Sequence, residues 1–317
     1  MALENDASDS DGLELLTPIQ RRVITSAVEI IEESEPDQIA FLHTVLAQCG
    51  MPYRAMTGQR DYVRENGKMS LVLTAGHLLD RQTHKPVLQP LPHGPKPRLI
   101  MIHLCSEAVR RQSRVIPVGD SMSAFMGNLG LSVTGGVRGT ITAFKKQLNA
   151  LSASRIQMFF EHGGGASMVN PAPLIQQMDL WFPIDPRQRV LWPSEVTLSE
   201  EFYNSLTQYA LPLDPRALQA LQHSARALDV YTWLAHRLPR VREKKGAFVS
   251  WQALQIQFGP DVADIRNFRK QMIKALEQVI LIYRGCRVEA VRGGLRLHHS
   301  PPPIRSTTIA VRRLPSP

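Results

Sequence analysis

An α+β, mainly helical fold with two tandem winged-helix domains is predicted by three observations. The element order helix–strand–helix–helix–strand–strand occurs twice along the chain, and this is the order of a helix-turn-helix core followed by a β-hairpin wing. The 317 residues are enough for two domains of ordinary size. Hydrophobic residues make up 43% of the chain, which is enough for packed cores and excludes a disordered chain.

The N-terminal part of the chain precedes both predicted domains. Residues 1–16 are acidic and polar and are predicted to be disordered. Residues 17–84 are predicted to form an extension in which Thr17 caps a helix with Pro18 at its first position. One or two amphipathic helices are expected up to residue 50, and a strand over 68–76. Five prolines within 85–97 predict a stiff loop.

The first winged-helix domain is predicted over residues 85–200. Its first helix ends in Arg110 and Arg111, which suit the negative C-terminal end of a helix dipole. Asp120 or Ser121 is expected to cap the second helix. The predicted elements are helices over 98–112, 121–131 and 139–153, a strand over 115–119, and strands over 155–162 and 173–182 around a glycine-rich turn.

The second winged-helix domain is predicted over residues 210–300. One long helix is expected to begin at Asp214-Pro215 and to stop at Pro239. Arg292-Gly293-Gly294 joins two strand-like runs, and a glycine pair at such a place indicates a hairpin. The elements between are a strand over 247–250, a helix capped by Ser250, and a third helix over 261–280; the tail 301–317 is predicted to be disordered.

Charge is distributed unevenly along the chain. The net charge is +9, from 37 basic and 28 acidic residues. Residues 1–40 contain ten acids and two arginines, whereas residues 236–299 contain thirteen basic residues and five acids. A basic C-terminal third favours a polyanionic partner at that part of the chain.

The third helix of the second domain has one apolar face and one basic face at 100° per residue. Arg266, Lys270 and Lys274 recur every four residues, and we call these three residues the basic stripe. Arg269 lies at its border, and the amides of Asn267, Gln271 and Gln278 lie alongside. The predicted buried face consists of Ile265, Phe268, Met272, Ala275, Leu276 and Val279.

Two interpretations of this helix compete. A charged helix face is usually only solvated. However, one sign of charge persists for three turns here, and the predicted wing that follows carries Arg287, Arg292 and Arg296. Lys and Arg contact phosphates and guanine, and Asn contacts adenine. We therefore expect these three arginines and Arg266, Asn267, Arg269, Lys270 and Lys274 to bind DNA.

The first domain gives a weaker indication of DNA binding. Arg138, Lys145 and Lys146 lie on or near its third helix, with few other cations around them. They are candidates for a secondary DNA contact, and a packing surface is the alternative.

Two short motifs suggest a hydrolase, but their context argues against one. Residues 162–165 spell HGGG, and 119–123 spell GDSMS, which is close to a nucleophile elbow. The elbow precedes the glycine loop instead of following it, and its fifth position is Ser123. A helix cap and a wing turn explain both motifs. We predict no catalytic residue and no enzymatic activity.

The sequence gives no reason to expect a cofactor, a metal or a membrane. It contains no nucleotide phosphate loop and no HExxH pattern, and the three cysteines are far apart. His103 and His236 are expected to be packed in helices. No apolar run approaches ~20 residues, and a reducing cytoplasm fits the cysteine content.

Long runs of the chain resemble the plasmid-encoded RepA family of replication initiators. They are PHGPKPRLIMIHLCSEAVRRQSRVIPVGDSMSAFMGNLGL (92–131), TGGVRGTITAFKKQL (134–148) and LDVYTWLAHRL (228–238), the last also similar to TrfA-type initiators. Residues 51–73 are similar as well, so the resemblance covers roughly 50–300.

The resemblance implies a protein that binds repeated sites, iterons, in double-stranded plasmid origin DNA. It also implies help in melting the adjacent duplex, recruitment of host DnaA and the replicative helicase, and a monomer–dimer equilibrium. The second winged-helix domain would bind the iteron, and the first would serve dimerisation and secondary DNA contacts. A winged-helix transcriptional repressor or autorepressor is the alternative, because it would use the same residues.

Overall fold

The computed structural model describes residues 16–33, 35–80, 83–136, 138–162, 165–169, 175–177 and 195–305. The fold is α+β, as predicted. Within the described residues the helices are α1 (Pro18–Glu32), α2 (Thr44–Gln48), α3 (Pro95–Arg111), α4 (Met122–Asn128), α5 (Thr140–Ala153), α6 (Glu200–Tyr209), α7 (Pro215–Leu221), α8 (Ala225–Arg237), α9 (Trp251–Phe258) and α10 (Ile265–Ile282).

The strands are short and belong to five small antiparallel sheets in the described part of the chain. They are β1 (Ala40–His43), β2 (Asp61–Asn66), β3 (Met69–Thr74), β4 (His77–Asp80), β5 (Lys85–Leu88), β6 (Val115–Pro117), β7 (Arg155–His162), β8 (Gly165–Val169), β9 (Ile175–Gln177), β10 (Glu195–Leu198), β11 (Ala210–Leu213), β12 (Ala247–Ser250), β13 (Val288–Val291) and β14 (Gly294–Leu297).

The N-terminal helix α1 begins where the sequence predicts. Thr17 and Gln20 form a capping box, and Pro18 occupies the first helical position. Val23, Ala27 and Ile30 form its buried face, which packs against α7 and α10. The second expected helix is mostly replaced by strand β1, and only the short α2 follows it. The predicted disorder of 1–16 and 301–317 lies almost wholly outside the described residues.

The expected stiff loop over 85–97 is wrong at both ends. Residues 85–88 form β5, which pairs with β4 as a hairpin. Residues 95–97 form the first turn of α3, because proline is well tolerated where a helix begins. The middle of the segment, 89–94, has no regular structure.

We call residues 85–200 the first region and residues 210–300 the second region. The strands of the first region pair differently from a simple hairpin. β7 lies between β3 and β8 in a sheet of order β2-β3-β7-β8. The predicted strand over 173–182 is described only at 175–177, where β9 pairs with β10 instead of β7. β10 also pairs with β6, giving the order β6-β10-β9. The expectation that 155–162 and 173–182 pair with each other is therefore wrong.

The second region follows the predicted order with one correction. The expected single helix after Asp214 is two helices, because α7 ends at Leu221 and Ser224 caps α8 through its side chain. Ser250 caps α9 as predicted. β12, β14 and β13 form a sheet in that order. Nearly all of α8 is buried, as its apolar sequence indicates.

The two regions share one core. β1, from the N-terminal extension, pairs with β11 at the start of the second region. Arg98 on α3 forms a buried bidentate pair with Asp229 on α8, with Nε–Oδ1 and Nη2–Oδ2 distances of 2.7 and 2.8 Å. Gly50 permits this contact, because a Cβ there would lie 2.2 Å from Asp229 Oδ2. The first helix of each region is thereby fixed to the other.

Candidate nucleic-acid interface

Helix α10 begins at a well-formed turn. The Asp264 side chain accepts a hydrogen bond from the Arg266 backbone N at 2.9 Å and caps the helix. The preceding turn contains Gly259, where a Cβ would lie 2.3 Å from the Phe268 ring. Glycine therefore allows the turn between α9 and α10 to pack directly on the helix.

The apolar face of α10 is buried as predicted. Phe268, Met272 and Val279 have no exposed surface, and Ala275 and Leu276 are almost completely buried. Ile265, the first residue of this face, is half-buried. Burying this face against α1, α7 and α8 fixes which side of the helix remains at the surface.

The basic stripe lies on that surface. Arg266, Lys270 and Lys274 are exposed, and the described residues provide no carboxylate within ion-pair distance of them. Together with Arg269, Ile273 and Glu277 they line a shallow groove of about 580 Å³. Glu277 lies one turn beyond Lys274, so the positive surface ends there.

The amides beside the basic stripe are organised. Gln271 Nε2 donates a hydrogen bond to Asn267 Oδ1 at 3.0 Å. This bond orients the Asn267 amide and leaves its Nδ2 group available as a donor. Asn267 is exposed. It therefore presents a preoriented donor and acceptor of the kind that pairs with adenine.

Trp251 joins the border of the basic stripe to the hairpin. The Arg269 guanidinium lies over the Trp251 ring, 5.3 Å from its centroid. The Trp251 backbone N donates to the carbonyl O of Gly293 at 3.0 Å, and Gly293 lies in the turn of the hairpin. Trp251 is itself 6% exposed. Trp251 was not among the residues predicted to contribute to the interface.

The hairpin β13–β14 depends on its two glycines. Gly293 has φ of +89°, which favours glycine. At Gly294 a Cβ would lie 2.0 Å from the Val249 carbonyl O on β12. The close approach of β12 to β14 therefore requires glycine at position 294, and it fixes the turn beside α9.

The three arginines of the hairpin are exposed but do not cluster. Arg292 is at the turn, next to Trp251. Arg296 is on β14, directly opposite Glu289, so a carboxylate shares its face. Arg287 precedes β13 at the other end, five residues or about 17 Å from Arg292. Of the three arginines, Arg292 is the one that precedes Gly293, whose carbonyl accepts a hydrogen bond from Trp251 N.

A further basic segment lies at the end of the sheet that is far from the turn. Arg242, Lys244 and Lys245 are exposed in the loop before β12. Gly246 in this loop lies beside Arg296, whose Cγ would be 3.0 Å from a Cβ at that position. The charge run REKK (242–245) is visible in the sequence, but only the pairing of β12 with β14 places it near Arg296.

The candidate cations of the first region are less accessible as a group. Arg138 and Lys146 are exposed, but Lys145 is half-buried, and burial lowers the pKa of Lys145. Phe144 and Leu148, on either side of these lysines, are buried. Helix α5 therefore uses part of its basic surface for packing.

The hydrolase motifs have structural roles where the structure describes them. Ser121 caps α4, and its Oγ accepts a hydrogen bond from Ala124 N at 3.1 Å. Gly163 and Gly164 lie outside the described residues, between β7 and β8. His103 packs edge-on against Phe125, and His236 bonds to Gln48 at 2.8 Å. Among the described residues, no cluster of metal-binding side chains and no helix suited to crossing a membrane is present.

Comparison with known sequences identifies the family. The sequence model of the family described as plasmid-encoded RepA protein matches residues 91–253, which is half of the chain. The chain belongs to the plasmid-encoded RepA family. No curated protein sequence matches the chain at a significant level. Membership supports a plasmid replication initiator as the class of protein, and this family is generally non-enzymatic.

The fold of this RepA-family chain is similar to that of a solved structure. That structure is a crystal structure of a selenomethionine derivative of domains 2 and 3 of RctB. The TM-score is 0.50 at 11% sequence identity, and the similarity covers 80% of this chain and 94% of that chain. At this identity the similarity concerns the fold alone.

Proposed function

We propose that this RepA-family protein initiates plasmid replication by binding repeated sites in double-stranded origin DNA through α10. The observation that carries the proposal is the groove along the basic stripe, which is exposed and has no intramolecular ion pair among the described residues. A helix with such a surface fits the major groove, which is about 12 Å wide. Helix α10 also lies in the part of the chain, residues 236–299, where basic residues outnumber acids.

The proposed DNA-binding unit is a winged-helix domain over residues 210–300. Its support is the element order α8, β12, α9, α10, β13, β14 and the sheet order β12-β14-β13. We propose a second such domain over 85–200, from α3, β6, α4 and α5 with the sheet β6-β10-β9. That domain would serve dimerisation and secondary DNA contacts through Arg138, Lys145 and Lys146.

Each side chain of the interface has a proposed role. Arg266, Lys270 and Lys274 enter the major groove, where they bind phosphates or guanine, and Asn267 contacts adenine. Arg269 is held by Trp251, so it binds at the border of the groove, next to Arg292 at the hairpin turn. Arg287 and Arg296 contact the DNA backbone farther along the hairpin.

Further partners follow from the family resemblance. We propose that the bound protein recruits host DnaA and the replicative helicase, that it exchanges between monomer and dimer, and that it acts without catalysis. If Ser121 were a nucleophile, Ser121→Ala would abolish ester hydrolysis. Because the Ser121 hydroxyl caps α4, we expect no ester hydrolysis by the wild-type protein or by Ser121→Ala.

The test is DNA binding by fluorescence anisotropy, with duplexes that tile the DNA flanking the gene. K270A/K274A should weaken binding about 10- to 100-fold near 100 mM salt and lower the slope of log K against log salt by about two. The matched control K68A/K85A also removes two exposed lysines, and it should change affinity less than threefold. Equal losses in both variants would contradict docking through α10.

A transcriptional repressor is the second candidate, because it would use the same surface. A cell assay separates the two functions: the gene and its flanking segment are placed on a plasmid that cannot otherwise replicate. Maintenance of that plasmid supports the initiator. Tight binding without maintenance, together with reduced expression from the gene's own promoter, supports the repressor.

A further inference from the structure

The first fifteen residues are negatively charged, opposite in sign to the basic stripe. Residues 1–15 contain five acids, Glu4, Asp6, Asp9, Asp11 and Glu14, and no Lys or Arg. Arg266, Arg269, Lys270 and Lys274 supply four cations along one groove. An anionic segment of this length therefore matches the groove in charge.

Residues 1–15 lead directly into α1, which packs against the helix that carries the basic stripe. α1 packs against α10, and Arg22 lies in its second turn. His223 lies among Arg22, Lys274 and Gln278: burial lowers its pKa, and the charges of Arg22 and Lys274 lower it further. Residues 17–22 are exposed, so the chain that precedes Pro18 starts at the surface beside the packed pair α1 and α10.

The distances allow residues 1–15 to cover the whole basic stripe. Lys274 and Arg266 are eight helical residues apart, which corresponds to about 12 Å at 1.5 Å per residue. Fifteen residues span up to ~50 Å when extended. The segment reaches the far end of the groove without any rearrangement of α1.

We propose that residues 1–15 occupy the basic stripe of the same molecule in the absence of DNA and that DNA displaces them. The inference rests on the DNA-binding role proposed above. An intramolecular competitor lowers affinity for every duplex by the same factor. The dissociation constants of weak non-specific complexes then exceed the working concentration of DNA, so these complexes do not form, whereas tight complexes at specific sites persist.

The first experiment detects the contact without DNA. A carbodiimide joins a lysine amine to a carboxylate that touches it, and mass spectrometry of peptides from the full-length protein identifies the pair. We expect links from Lys270 or Lys274 to the acids of 1–15, in protein of monomeric mass. Lys68 and Lys85, which are exposed elsewhere, are the comparison.

Two results of that experiment overturn the inference. One is the absence of links to Lys270 and Lys274, or links that are as frequent at Lys68 and Lys85. The other is links found only in protein of twice the monomeric mass, which would place the segment of a second copy on the groove. Loss of the links at 0.5 M salt supports the electrostatic contact.

The second experiment measures its effect on DNA affinity. D9N/D11N/E14Q should bind a non-specific duplex about three- to tenfold more tightly than wild type at low salt. E195Q/E200Q/E201Q changes the net charge equally at exposed sites on β10 and α6 and should leave affinity within twofold. Equal tightening by both triple variants overturns the inference.

The two proposals fail in different ways. Unchanged affinity in D9N/D11N/E14Q, together with a large loss in K270A/K274A, overturns the masking of the groove and leaves DNA binding intact. The expected cross-links in a protein for which K270A/K274A does not weaken DNA binding support the intramolecular contact and contradict the proposed function.

Discussion

Helices α5 and α10 each follow the order helix–strand–helix along the chain, but they present different surfaces. On α10 four cations are exposed along a groove. On α5 one lysine is exposed and the other is half-buried beside Phe144 and Leu148. The same element order thus supports one helix whose outer face is free and one whose basic residues partly serve packing. Position in a fold does not by itself define a binding surface.

The largest effect is expected from removing the ion pair that joins the two regions. Arg98→Ala leaves Asp229 buried without its partner, and we expect the free energy of unfolding to fall by about 3–5 kcal/mol. Urea denaturation measures the change. The double variant R98A/D229A should lose less than the sum of the single variants. A loss below 1 kcal/mol in R98A would show that the pair does not hold α3 to α8.

Asn267 tests whether α10 recognises sequence as well as charge. Asn267→Ala should remove discrimination at one base pair by ~1–3 kcal/mol, because only one amide is lost. Affinities for single-base variants of the tightest duplex measure this. Gln278→Ala, on the same helix and half-buried, is the control. If Asn267→Ala weakens all duplexes equally, the amide contributes no base contact.

One histidine in α3 and one in α8 have a lowered pKa. Burial lowers the pKa of His103 on α3, and on α8 burial with nearby Arg240 and Arg237 lowers the pKa of His236 to about 4. Since the unfolded form of His236 titrates near 6.5, its contribution is complete above that pH and is lost as pH falls toward 4.

At pH 5 the loss from His236 should be about 2 kcal/mol relative to pH 7. Urea denaturation of wild type and H236Q at both pH values isolates this contribution. Buried His43, whose pKa is also about 4, remains in both proteins. A wild-type protein and H236Q with the same pH dependence would contradict the assignment.

The smallest effect is expected from α5. K145A/K146A should lower the salt slope of DNA binding by less than one, against about two for K270A/K274A. The salt titration of both variants on one duplex makes the comparison. Equal slopes for the two variants would mean that both helices contact DNA to the same extent.

Local features of this chain were predictable from sequence. Thr17, Ser121 and Ser250 cap helices as their side chains indicate. The periodicity of α10 correctly separated Phe268 and its neighbours from the basic stripe. In these cases the information lies within a few residues, where helix geometry determines the result.

Pairing between distant segments was not predictable. Nothing in the sequence around 155–162 indicates β3 as its neighbour, because apolar alternation does not specify a partner strand. Arg98 and Asp229 are 131 residues apart and form a pair only through the packing of α3 on α8. The stacking of Arg269 on Trp251 likewise depends on how α9 meets α10. The break at residues 222–224 was missed because helical periodicity continues across it.

The pairing of β1 with β11 has a consequence for dividing this protein into fragments. A fragment that starts at residue 210 would carry β11 without residues 40–43, which pair with it. The buried side chains of Leu211 and Leu213 would meet water, and an unpaired strand edge would be available to other chains. Expression of the C-terminal half for DNA-binding assays therefore calls for a covalent link from residues 40–43 to that strand, for example by circular permutation.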